Sequence, residues 1–401
     1  MRAAGLVSLG SYVPAKPLSR EFSRALSRFL EKHSRVQTEY TDTVRDQHVL
    51  PGKVETNFDG WESQPWFEAW RASLPPKKQK DPFLGTKERR RVPLDPRSVR
   101  ESVVPHPMLS TEAEAIAGAM AIVQGEVRPE DIDLVLVHSQ IPDELPSMAA
   151  AVQDMLQLPN AGAYGIDTCC SSFVTMVELA ETLVRASVKK CVLLVGSHIA
   201  SHVLDRSAYC CVRLGDGAVA GIVTQVEDDC GYVASHSTAN GRVHDAVLMV
   251  RRPPELHRPT FLGPSREQAF VTFANMQACK VIADNTLEEM TGLVRGLLER
   301  AHRTRDDIDL FVTHQPVEWA GSAWCDALGI PLSKFYESYA RYGNVGSASS
   351  GINLTEALEQ RRARPGQHIL IASSGAGENH VGLLERASPQ LVHTMQRFPT
   401  A

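Results

Sequence analysis

The sequence predicts an α/β protein of two halves related by a pseudo-twofold axis, stacked as a five-layered αβαβα arrangement. Two observations carry this: an internal repeat, and the alternation of short apolar runs with helix-like stretches. Asp131-Ile132-Asp133-Leu134-Val135-Leu136-Val137-His138 reappears as Asp307-Ile308-Asp309-Leu310-Phe311-Val312-Thr313-His314. Val192-Leu193-Leu194-Val195-Gly196-Ser197 reappears as Ile369-Leu370-Ile371-Ala372-Ser373-Ser374, at the same displacement to within one residue. A displacement held constant over such a length marks a duplicated unit.

Each repeated run is short, apolar and β-branched, as expected of a strand buried on both faces. Between the runs each half places a turn of small residues that opens a helix. These turns are Asp167-Thr168-Cys169-Cys170-Ser171-Ser172-Phe173 and Asn344-Val345-Gly346-Ser347-Ala348-Ser349. Each half reads strand, helix, turn, helix, strand, which implies mostly parallel sheets, faces covered by helices and right-handed crossovers. The plainer alternative is two α/β domains that look alike only because buried strands look alike. A chain of 401 residues is long enough for two core-bearing units. We place them at residues 1–225 and 226–401, with an insertion at about 30–80 in the first.

With 43% hydrophobic and 22% charged residues and a net charge of -5, the chain has no global attraction for nucleic acid or anionic membrane. Neither is expected as a partner. The longest apolar runs, such as Cys191 to Gly196, fall far below the ~20 residues of a membrane-spanning helix. The N-terminal stretch from Met1 to Ser19 lacks an apolar segment followed by a small-residue cleavage site. A cytoplasmic location is therefore expected. The eight cysteines sit mostly among small or apolar residues and lack zinc-site spacing, which fits reduced thiols, with no metal and no disulfide framework.

Three residues stand out for chemistry. Cys170 precedes a helix expected over Ser171 to Val184, where free N–H groups and the helix dipole favour a thiolate and make it a candidate nucleophile. A lone cysteine is otherwise a small buried filler, and Cys169 is a rival. His314 ends a buried strand that Pro316 stops, and such strand ends face the ligand crevice. His138 ends the equivalent strand, so position alone does not separate a catalytic histidine from a satisfied one. Asn344 could cap the helix that follows it. The repeat, however, sets the Cys170 and Asn344 turns facing each other across the pseudo-twofold axis.

The segments Cys170-Ser171-Ser172-Phe173, Val312-Thr313-His314-Gln315 and Tyr342-Gly343-Asn344-Val345-Gly346-Ser347 resemble the nucleophile, histidine and asparagine motifs of β-ketoacyl-ACP synthase III, in the same order. Gly85-Thr86-Lys87-Glu88-Arg89-Arg90, Leu214-Gly215-Asp216-Gly217-Ala218 and Ser373-Ser374-Gly375-Ala376-Gly377 extend the likeness over nearly the whole chain except residues 30–80. The resemblance implies a thiolase fold, a homodimer, an acyl carrier protein as partner, and phosphopantetheine- or CoA-linked small-molecule acyl substrates with no further cofactor. It assigns catalysis to Cys170, His314 and Asn344. Cys170 would take the acyl group, with an oxyanion hole from its own N–H and one from the Gly375 to Gly377 loop. His314 and Asn344 would donate to the thioester oxygen of a malonyl-type acceptor. Phe173, three residues after Cys170 as in the family, favours that cysteine over Cys169. Phe83, Leu145, Phe173 and Trp319 are expected along the substrate tunnel.

The chain departs from the family in three places. Val317 and Trp319 stand where an Asn and an Arg help to hold phosphopantetheine or CoA, and Phe83 replaces an arginine. Trp61, Trp66 and Trp70, followed by Lys77, Lys78 and Lys80, make the insertion either a docking lid or a surface excursion. Asp143-Glu144-Leu145 occupies the segment that in the family closes the partner subunit's pocket, and relatives that join two long acyl chains carry a glutamate base hereabouts. Glu144 is thus a possible base supplied from the partner subunit. The leading expectation is carbon–carbon bond formation in polyketide or lipid-type specialised metabolism. Acyl transfer to a hydroxyl or amine, with His314 as general base, is the alternative; a non-catalytic partner subunit is a third reading, which a complete Cys/His/Asn set opposes.

Overall fold

A computed structural model describes residues 2–14, 16, 18–36, 109–142, 148–200, 214–252, 268–273 and 275–398. Phe83, Glu144, Leu145, the tryptophans and lysines of the insertion, and the Gly85 to Arg90 segment lie outside the described residues.

The strands are β1 (Ala4–Tyr12), β2 (Leu134–Ser139), β3 (Gly162–Gly165), β4 (Cys191–His198), β5 (Gly217–Gln225), β6 (Gly231–Ala239), β7 (Val247–Arg252), β8 (Gln268–Phe273), β9 (Leu310–Thr313), β10 (Phe335–Tyr336), β11 (His368–Gly375) and β12 (Asn379–Arg386). Two five-stranded sheets have the orders β1-β5-β4-β2-β3 and β6-β12-β11-β9-β10, with β7 and β8 pairing separately. The two orders superpose strand for strand, so the repeated runs of the sequence are the corresponding strands β2/β9 and β4/β11.

The helices are α1 (Arg20–His33), α2 (Ser110–Gly125), α3 (Met148–Met155), α4 (Ser172–Arg185), α5 (Met276–Ala301), α6 (Ala320–Leu328), α7 (Tyr339–Tyr342), α8 (Ser349–Glu359) and α9 (Pro389–Met395). None of the described helices is long and apolar enough to cross a membrane. Residues 30–33 belong to α1, which Ser19 caps by accepting the Phe22 N–H at 3.3 Å, and whose Phe22, Leu26 and Leu30 form one buried stripe.

Strand side chains alternate between layers, as the pleat requires. Leu134, Leu136, Val192, Leu194, Leu310, Val312, Ile369 and Ile371 face the central layer, which α4 and α8 fill. Val135, Val137, Leu193 and Val195 face the outer layer of α1, α2 and α3, while Phe311, Leu370 and Ala372 face that of α5 and α6. Each such side chain stabilises the fold by about 1.5–3 kcal/mol on burial. This is the predicted five-layered architecture of the thiolase fold. One carboxyl pair is buried in it: Glu181 on α4 and Glu385 on β12 face each other, and burial pushes both above the usual carboxylate range.

Two details differ from expectation. The sheets are mixed, because β3, β2 and β4, and likewise β10, β9 and β11, are parallel, whereas β1, β5 and β4, and likewise β6, β12 and β11, are antiparallel. Only residues 376–378 separate β11 from β12, too few for a crossover, so the chain must return antiparallel. The edge strands β3 and β10 were not foreseen, since Gly162-Ala163-Tyr164-Gly165 offers no β-branched residue and Phe335-Tyr336 is a single pair.

Candidate active site

The chain leaves β3 and makes one 3-10 turn, Cys169–Ser171, before α4 starts at Ser172. The expected helix therefore begins one residue late, and Cys170 lies in the turn that feeds it. Short polar side chains build this turn. Asp167 Oδ1 accepts the Cys169 N–H at 2.8 Å, Ser171 Oγ donates to the Thr168 carbonyl at 2.7 Å, and Ser172 Oγ donates to the Cys169 carbonyl at 2.7 Å. They hold Cys169 at a φ of 56°, a region non-glycine residues seldom occupy.

The second half closes over the turn. Ser373 Oγ donates to the Cys170 carbonyl at 2.9 Å. A Cβ at Gly375 would lie 2.4 Å from the Thr168 carbonyl oxygen and 3.1 Å from the Cys170 nitrogen, so only glycine fits there. The N–H groups that face both cysteine sulfurs are those of Cys170 and Ala376. Of the Gly375 to Gly377 loop it is thus the Ala376 N–H that faces the sulfurs, while Gly375 supplies clearance and Gly377, at φ +121°, supplies the bend.

The two sulfurs are 3.8 Å apart, and Gln140 Nε2 donates to Cys169 Sγ at 3.0 Å. The thiols titrate as one unit. The first proton leaves below the ordinary thiol range because the remaining S–H donates to the new anion. The second is held well above that range by the same hydrogen bond, by burial and by the neighbouring charge.

His314 follows β9, its N–H bonded to the Ala372 carbonyl at 3.2 Å, and its ring is buried. Its Nε2 lies 3.1 Å from Asn344 Oδ1, which also accepts the Gly346 N–H at 2.8 Å. The Gly346 N–H identifies the amide oxygen, which assigns the hydrogen of the neutral ring to Nε2. Burial pushes this histidine down to about 4, against the bond to Asn344, so the ring is neutral. Asn344 Oδ1 therefore serves both His314 and the 3-10 turn Gly346–Ala348, whose N-cap position is Val345. The Asn344 backbone pairs with Leu214 and accepts the Gly215 N–H at 3.1 Å, while Ser347 Oγ reaches the Ser197 carbonyl at 3.1 Å. A residue of one half is thereby set by the other half.

Behind these donors runs a buried network that periodicity could not reveal. Asn353 on α8 donates to the Thr313 carbonyl at 3.0 Å and accepts from Ser338 Oγ at 2.6 Å. Ser338 also donates its N–H to Gln315 Oε1 at 3.2 Å. Glu356, one turn further along α8, accepts from Tyr336 at 3.0 Å and Tyr342 at 2.8 Å and pairs with Arg341. These ties connect the strand end before His314 to the segment before Asn344.

The remaining candidates fall elsewhere. His138 is buried with Nδ1 3.0 Å from the Ile166 carbonyl, and burial lowers its pKa, so this repeat partner of His314 is a hydrogen-bonded prop of the cysteine turn. His198, a residue without a flag in the sequence, is buried against Gly346 with Nδ1 2.7 Å from the Gly215 carbonyl. Phe173 is fully buried in the central layer beneath the turn. Trp319 and Val317 pack against the outer cluster of Trp324 and Phe335. Among the described residues no three His, Cys, Asp or Glu side chains group to hold a metal ion.

Residues 298–386 match the family model of the 3-oxoacyl-[acyl-carrier-protein] synthase III C-terminal region, and residues 164–241 match that of 3-oxoacyl-[acyl-carrier-protein] synthase III. The β-ketoacyl-[acyl-carrier-protein] synthase III of Clostridium perfringens is 30% identical over 265 residues, covering 65% of this chain and 79% of that protein. The synthase III structure from Thermus thermophilus superposes with a TM-score of 0.67 at 22% identity, covering 96% of this chain and 99% of that one. The priming β-ketosynthase of the R1128 polyketide pathway gives a TM-score of 0.67 at 17% identity, covering 96% and 97%.

Proposed function

Because the chain belongs to the β-ketoacyl-ACP synthase III family of condensing enzymes, we propose that it loads an acyl group from a carrier thioester onto Cys170 and condenses it with a malonyl- or β-ketoacyl-type acceptor on a carrier. The setting is polyketide or lipid-type specialised metabolism, and the acyl carrier is acyl carrier protein. The observation that carries the reading is the neutral imidazole of His314 bonded to Asn344.

In the first half-reaction Cys170 sulfur attacks the thioester carbonyl. The N–H groups of Cys170 and Ala376 receive the developing oxyanion, and collapse expels the carrier thiol. In the second, decarboxylation of a malonyl thioester places charge on the acceptor's carbonyl oxygen. With the acceptor bound, the His314 Nε2–H turns from Asn344 Oδ1 to that oxygen and the Asn344 Nδ2–H donates beside it, each worth ~3 kcal/mol, and the enolate carbon attacks the Cys170 acyl group. A histidine held neutral suits a donor in this step. A general base for a hydroxyl or amine acceptor is better matched by a pKa nearer the working pH than about 4.

Incubation with acyl-ACP and malonyl-ACP is expected to release CO₂ and form a longer β-ketoacyl thioester. Discharge of the acyl group onto a hydroxyl or amine without CO₂ would replace condensation by simple acyl transfer.

We further propose a cytoplasmic homodimer. Support comes from β3, an edge strand of the first sheet with Tyr164 53% exposed, which offers free backbone groups to a second copy. Sedimentation at micromolar concentration should give twice the chain mass; a monomer at that concentration would contradict it.

A further inference from the structure

The arrangement leaves one proton without an acceptor. Cys170 must lose its hydrogen to attack, yet His314 Nε2 already carries a hydrogen and is engaged with Asn344 Oδ1 at 3.1 Å. What does face Cys170 is a second sulfur, Cys169 Sγ, at 3.8 Å. That sulfur is prepared for negative charge: Gln140 Nε2 donates to it at 3.0 Å, and the Ala376 N–H points at it. The left-handed backbone of Cys169, held by Asp167, turns its thiol toward its neighbour.

We propose that Cys169 is a second catalytic residue, the proton acceptor for Cys170 during acyl loading. It rests on the acyl-Cys170 reading above. In the resting site Cys169 is the thiolate and Cys170 the thiol that donates to it. As the Cys170 sulfur–carbon bond forms, the Cys170 proton passes to Cys169 and the carbonyl becomes an oxyanion. On collapse the donor carbon–sulfur bond breaks, and the departing carrier thiolate takes that proton from Cys169. The pair returns to its starting charge, and no oxidant or other co-reactant is needed. Cys170 sulfur lacks the Gln140 N–H that bonds Cys169, and is the stronger nucleophile once its proton is gone.

The other titratable groups facing the pair from the surrounding described elements do not supply this base. Asp167 spends Oδ1 on the Cys169 N–H at 2.8 Å. His138, His198 and His314 are buried imidazoles, all pushed down by that burial. Glu378 and His380 on the β12 side lie 3.5 Å from each other and form their own pair.

The test uses the full chain and its Cys169→Ala and Cys169→Ser variants, with alkylation of Cys170 by iodoacetamide followed against pH and acyl loading followed by intact mass. In the wild type, proton exchange within the pair makes Cys170 alkylation follow the first ionisation of the pair, so in both variants its midpoint should move up by more than about one pH unit, and loading near neutral pH should slow by about a hundredfold, recovering toward wild type as pH rises. Serine fills the space but is too weak an acid to hold the charge. A wild-type pH profile in Cys169→Ser would therefore assign Cys169 a packing role and overturn the proposal, as would acylation of Cys169 instead of Cys170 in the wild type. Because iodoacetamide needs no acyl donor, failure of the acyl-Cys170 reading itself would show separately, as a wild type that alkylates normally yet takes up no acyl group at any pH.

Discussion

Replacing Cys170 with alanine is expected to abolish acyl uptake and to lower product formation by at least about a thousandfold. The variant should fold, since the turn is held by Asp167, Ser171, Ser172 and Ser373 through backbone groups that alanine retains. Intact mass after incubation with acyl-ACP reads the result directly. Persistence of a one-to-one adduct in Cys170→Ala would move the nucleophile to Cys169.

The second large effect separates the half-reactions. His314→Ala and Asn344→Ala each remove one donor from the acceptor side and should lower condensation by about 10²–10³-fold, while loading of Cys170 stays within a few-fold of wild type. The two losses should be less than additive in the double variant, because the side chains bond each other at 3.1 Å and each sets the other's orientation. The histidine also fixes a pH dependence. Its folded pKa of about 4 lies below the ordinary imidazole value of about 6.5, so the folded state binds fewer protons than the unfolded chain between these limits. Its contribution to stability is then present above about pH 6.5 and is lost as pH falls toward 4. Condensation from the preloaded enzyme should accordingly stay flat above about pH 5 as far as this group is concerned. A rate that instead follows an ionisation of His314 near neutrality, absent in His314→Ala, would make the ring a general base.

The repeat made the architecture legible. Buried strands such as Leu134–Ser139 and Leu310–Thr313 advertise themselves, because both faces must be apolar. The edge strands could not be read, since an edge needs little apolar side chain. The meeting of His314 with Asn344 was legible through motif order and repeat position. The single-residue reading of histidines was undecidable: His138 and His314 occupy the same strand end, and only the partners of each ring distinguish them. Ala376, Gln140, Asn353 and Ser338 were invisible because their roles depend on where one backbone N–H or amide points across the junction of the halves. That junction brings together residues far apart in the chain, and no local pattern encodes it.

In the proposed cycle a thiol from one half and two donors from the other act in sequence on one acyl group. Fragment-resolved mass spectrometry of the Cys169-Cys170 peptide, before and after a chase with malonyl-ACP, follows both steps of that cycle. The acyl mass is expected on Cys170, the chase should clear it with one CO₂ per acyl group, and in Asn344→Ala it should form yet clear slowly. Acyl groups on any other residue, or clearance equally fast in Asn344→Ala and wild type, would contradict the cycle.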